Sequence, residues 1–124
     1  MIHLLPLYAG AAFPLIWGIA HLVPTASVVK AFGDISADNR RIITMEWIVE
    51  GAALIFIAAV VLAAALIDPA APVSKAVFGL SALMLIGLAV VSLFTGFKVR
   101  FLPFKLCPAL FTASAALIVA GGLL

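Results

Sequence analysis

Charge is what this sequence has least of. Asp, Glu, Lys and Arg make up 10% of its 124 residues, against about 25% in soluble domains. So charge-poor and apolar a composition excludes nucleic-acid binding, which draws its affinity from many basic contacts to phosphate. Disorder, which requires low hydrophobicity and high net charge, is excluded with it. Cysteine is nearly missing: Cys107 stands alone, cannot form an internal disulfide, and has no Cys or His at metal-ligand spacing. The chain also lacks a nucleophile elbow, a phosphate loop and a dinucleotide fingerprint. The Glu-x-x-His pattern of di-iron four-helix bundles does not occur either.

What remains is apolar. The chain is 67% hydrophobic, with a mean hydropathy of +1.38, which leaves too few polar side chains to cover a water-soluble globule. It reads as an integral membrane protein of all-α class, a single domain over residues 1–124. Crossing a hydrocarbon core of about 30 Å takes about 20 apolar residues, and the charged residues divide the chain into four such stretches, near 4–23, 42–67, 72–97 and 104–124. Pro6 suits the first turn of the first helix, Pro14 lies mid-span where it should kink the helix, and Pro24 ends it. Ser36 or Asp38 is the expected N-cap of the second helix and Asp68-Pro69 its stop. Pro103 and Pro108 mark the beginning of the fourth.

Lys and Arg beside spans are retained on the cytoplasmic side. Lys30, Arg40 and Arg41 lie in the first loop and Lys98, Arg100 and Lys105 in the third, against Lys75 alone in the second. The expected topology has both termini non-cytoplasmic and the basic loops, 30–41 and 98–105, in the cytoplasm, in a plasma or bacterial inner membrane. A cleaved signal peptide is the competing reading of the first stretch. No basic region precedes it, however, and Pro24 occupies the −3 position of the one plausible cut, after Ala26. Between Pro24 and Phe32 the sequence suggests a short helix on the membrane surface, closed by Gly33 in a left-handed conformation. Val29-Lys30-Ala31-Phe32 faintly echoes Val99-Arg100-Phe101, but only the first half of the chain carries embedded ionisable residues.

Those residues are His21, near the end of the first helix, and Glu46 and Glu50, near the start of the second. Ionisable groups at such depth are candidates for function. Glu46 lies about 7.5 Å and Glu50 about 13.5 Å beyond Arg41 at the rise of an α-helix, and their spacing of four puts both on one face. Because the two helices are consecutive and antiparallel, His21, Glu46 and Glu50 are expected to cluster. Two carboxylates one turn apart in a low dielectric cannot both ionise cheaply, so the cluster should hold a mobile proton. Against this, acids near a helix N-terminus favour the dipole, and Glu46 has the reach to snorkel toward water or Arg40. His3 reads as a solvated interfacial histidine.

Tyr8, Trp17 and Trp47 suit interfacial anchoring; Trp17 is also deep enough to wall a cavity, and Trp17 and Trp47 join the candidate site as neighbours of the cluster. One His and two Glu are a poor metal set without a second histidine, and a lone His21 is weak as a haem ligand, so no metal or cofactor is expected. Ser81, Ser92, Thr95, Thr112 and Ser114 read as bonded to the carbonyl one turn back. The pairs Ser92/Gly96, Ala109/Ala113 and Ala116/Ala120 suit close helix packing and a homo-oligomer formed through the third and fourth helices. Three functions compete on this pattern. The first is binding or transport of a lipophilic or cationic small molecule coupled to protonation of the Glu/His cluster. The second is an intramembrane isomerase-like enzyme acting on an apolar substrate, and the third a non-catalytic accessory subunit.

Overall fold

A computed structural model describes residues 3–124. Four of its helices are long and apolar enough to cross a membrane: α1 (Leu4–Leu22), α3 (Ala37–Ile67), α4 (Pro72–Phe94) and α5 (Leu102–Gly122). The short helix α2 (Thr25–Ala31) joins α1 to α3, and a 3-10 turn (Gly96–Lys98) precedes α5. Among the described residues there is no strand. The chain is an all-α bundle with the composition of a multi-pass membrane protein.

The helix ends follow from local chemistry. Ser36 caps α3, its hydroxyl accepting from the Asn39 N–H at 3.1 Å, so the helix begins at Ala37, five residues ahead of the apolar stretch. It reaches about 46 Å at 1.5 Å per residue over its 31 residues. Gly33 follows α2 with φ +74°, a conformation that costs an L-residue its Cβ clearance. α4 stops at Phe94, short of residue 97, because Thr95 leaves helical geometry at φ −120°, ψ −78°. α5 starts two residues earlier than 104, since Pro103 occupies a first-turn position where no N–H is needed.

α1 lies at the centre of the arrangement, packed against both α3 and α5; α5 packs against α4, while α3 and α4 meet only lightly. The α3–α4 turn is tied by the Ser74 hydroxyl, which donates to the Asp68 carbonyl at 2.6 Å. Leu7, Leu54, Val61, Phe78, Leu85, Phe111 and Ile118 fill the interior. The outer faces remain apolar, with side chains such as Leu5 and Ile67 more than four-fifths exposed, as lipid contact requires and water would not tolerate.

α1 runs unbroken through Pro14. Proline cannot donate to the carbonyl four residues earlier, and the fully buried Ser114 hydroxyl of α5 donates to that Gly10 carbonyl at 2.6 Å. The bond of Ser114 is therefore between helices and not to its own preceding turn, which corrects the sequence reading. Thr95 and Thr112 do bond one turn back, to Val91 and Pro108. Glycines make the close internal approaches: a Cβ on Gly18 would fall 2.8 Å from the Gly51 carbonyl oxygen. Ala109, Ala113 and Ala116 instead face outward from α5.

Candidate functional site

The Gly18–Gly51 crossing determines what comes next along both helices. One turn beyond Gly18, α1 presents His21; beside and one turn before Gly51, α3 presents Glu50 and Trp47. Pressed together by the absent Cβ atoms, these three meet. The His21 imidazole stacks on the Trp47 indole, with centroids 3.8 Å apart and 14° between the planes. The Trp47 Nε1–H donates to the His21 backbone carbonyl at 2.7 Å. His21 Nε2 lies 3.5 Å from Glu50 Oε2, yet it is buried and makes no hydrogen bond. The His21 side chain is 8% exposed and that of Glu50 47%.

Pro24 shapes this end of α1. The carbonyls of the last helical turn have no intrahelical donors, and two of them are satisfied from outside: His21 by the Trp47 indole and Leu22 by the Thr25 hydroxyl at 2.6 Å. The Ala20 carbonyl would receive the N–H of residue 24, which proline does not have. Ala20 lines the cavity described below, which lies at the negative end of the α1 dipole.

That cavity has a volume of about 250 Å³ and is bounded by α1, α2, α3 and the start of α5. Five aromatic side chains contribute to its wall: Trp17, His21, Trp47, Phe101 and Phe104. Trp47 meets Phe104 edge to face at 6.0 Å, and Phe104 meets Phe101 in the same way at 5.9 Å. Cys107 completes the inner wall, its thiol donating to the Pro103 carbonyl at 3.5 Å. Glu50 is the one acid on this wall, and no Lys or Arg lines it. A second cavity of about 360 Å³ lies between α3 and Leu88 of α4, bounded by Ile42, Ile43, Glu46, Trp47, Val49, Glu50 and Ala53. Trp47 and Glu50 belong to both.

Of the residues singled out from sequence, Trp17, His21, Trp47 and Glu50 come together. Glu46 does not join them: it lines the α3–α4 groove. Four residues at about 100° each leave an offset of about 40°, enough to turn Glu50 toward α1 and Glu46 toward α4. His3 is exposed and remote from the site. Phe101, Phe104, Cys107 and Ala20 were not foreseen. Aromatics beside a basic loop read as interfacial anchors, and nothing local marks Phe101 and Phe104 as facing Trp47. The signal available for Ala20 was Pro24 four residues later.

Among the described residues no three His, Cys, Asp or Glu side chains converge as a metal site. Comparison with known proteins finds no matching family, no similar curated protein and no similar solved structure, so a functional reading rests on this geometry.

Proposed function

We propose that this membrane protein binds a lipophilic or cationic small molecule in the aromatic cavity, with occupancy linked to protonation of the His21–Glu50 pair. One observation carries the reading: the orphaned, buried His21 Nε2 and the Glu50 carboxylate lie at the wall of an apolar cavity that holds no other formal charge. A buried polar atom without a partner is costly, and an ion pair that only fixed packing would close to hydrogen-bonding distance. The 3.5 Å separation leaves both groups with capacity for something between or beside them. The α3–α4 groove shares Trp47 and Glu50 with the cavity and gives a molecule dissolved in lipid a route to it. We place the basic loops, and with them the Phe101 end of the cavity, on the cytoplasmic side.

The same pair could move a proton on an apolar substrate, since His21 and Glu50 are the kind of groups general acid–base catalysis employs. Product formation separates that reading from binding or transport. Both tryptophans line the cavity, so ligand-induced quenching reads out the site directly. Glu50→Gln preserves shape and hydrogen bonding and removes the charge. It is expected to leave expression and size in mild detergent intact while abolishing the pH dependence of quenching. A variant that fails to fold in detergent, beside a wild type that no ligand quenches at any pH, would make the pair structural and favour an accessory subunit.

A further inference from the structure

The binding reading leaves the chemical class of the occupant open, and the following inference rests on that reading. We propose that the occupant is a protonated amine that replaces the imidazolium beside Glu50, one proton leaving His21 for each amine that enters.

Three features of the cavity select the class. Its acceptors are the two oxygens of the Glu50 carboxylate and His21 Nε2 once unprotonated. Three acceptors suit the three N–H donors of a primary ammonium. Trp17, Trp47 and Phe104 line it, and aromatic rings attract a cation through their quadrupoles, while the α1 C-terminus adds partial negative charge. An anion would meet Glu50 with no Lys or Arg on the wall to offset it. Lys105, the basic residue at the start of α5, is committed elsewhere: its Nζ donates to the Phe97 carbonyl at 3.1 Å and sits over the Phe97 ring.

The exchange follows from charge balance. In a low-dielectric site an uncompensated charge is expensive, so a cation that enters must be matched by one that leaves. An N–H bond of the His21 imidazolium breaks, its proton passes to water, and the Glu50 carboxylate changes partner from imidazolium to ammonium. The net charge of the site stays constant. The titratable groups facing His21 are Glu50 of α3, with Glu46 turned into the neighbouring groove, and Cys107 of α5, so His21→Asn decides which of them supplies the proton. The cavity residues of α2 and of the turn before α5 (Pro24, Val28, Phe101, Pro103) do not titrate, and α4 does not reach the cavity.

The test uses the full chain in mild detergent with four probes: 2-phenylethylamine, its trimethylammonium analogue, 2-phenylethanol and 3-phenylpropanoate. Binding is followed by tryptophan quenching, and protons are counted by calorimetry in two buffers of different ionisation enthalpy across the range where histidine titrates. The amine is expected to bind about tenfold to a hundredfold more tightly than the alcohol, the scale of a hydrogen bond to a charged group, and more tightly than the quaternary analogue. At a pH low enough for His21 to be protonated before binding, about one proton should be released per amine, falling to none at higher pH, as the exchange of one imidazolium for one ammonium requires, and His21→Asn should abolish the release. Equal binding of amine and alcohol, or equal binding of the quaternary ion, overturns the proposal. So does proton release that persists in His21→Asn. If that variant does not fold, the wild-type proton count and the amine-to-alcohol ratio decide alone. PH-dependent binding of the alcohol as tightly as the amine leaves the binding reading standing and removes only this inference; no quenching by any probe at any pH removes both.

Discussion

At the scale of single residues, this protein's informative positions are polar atoms whose partners lie on another helix. Ser114 is the plainest case. Its hydroxyl supplies the donor that Pro14 withholds from Gly10, so Ser114→Ala leaves a fully buried carbonyl unpaired. The variant should lower stability by about 0.6–2 kcal/mol, the range for interhelical hydrogen bonds in membranes, read as a fall in the thermal midpoint in detergent. Thr112→Ala, which removes only a bond within its own exposed turn, should change little. His21 and Glu50 were legible in the sequence because an ionisable group in an apolar run has few explanations. The partner of Ser114 was not, because a hydroxyl that bonds its own turn and one that bonds a neighbouring helix look identical until the helices are packed.

At the scale of elements, the α1–α3 crossing sets the site. A Cβ at Gly18 would meet the Gly51 carbonyl oxygen at 2.8 Å and Ile55 at 2.9 Å. Backbone cannot swing aside as a side chain does, so Gly18→Ala must push the two helices apart. The His21–Trp47 stack one turn away should open with them. The expected outcome is altered tryptophan emission and at least about a tenfold loss of ligand affinity, as misplacement of site groups by about 1 Å implies. Gly87→Ala, where an added Cβ meets nothing within 4 Å, should be silent in both measurements. The four spans were legible from charge spacing and proline. The identity of the crossing residues was not: alanine is so frequent here that small-residue pairs arise everywhere, and those picked out at 109, 113 and 116 face outward.

At the scale of the whole molecule, the distribution of basic residues predicts one orientation in the membrane. Single cysteines introduced at Gly33 and Arg100 should react with an impermeant maleimide from the cytoplasmic side, and one at Ala71 from the opposite side. Labelling of position 71 from the cytoplasm would reverse the proposed threading. α1 and α3 also differ greatly in length, 19 residues against 31. The apolar run of α3 over 42–67 extends about 39 Å, more than a bilayer core of about 30 Å accommodates upright. A span too long for its membrane tilts, and α3 has freedom to do so toward α4, against which it packs far less than against α1. Its firm contact with α1 at Gly18 and Gly51 then acts as a fulcrum. Thinning the bilayer leans α3 further and swings its Trp47 end relative to α1, so the thickness of the surrounding membrane becomes a control on the dimensions of the aromatic cavity.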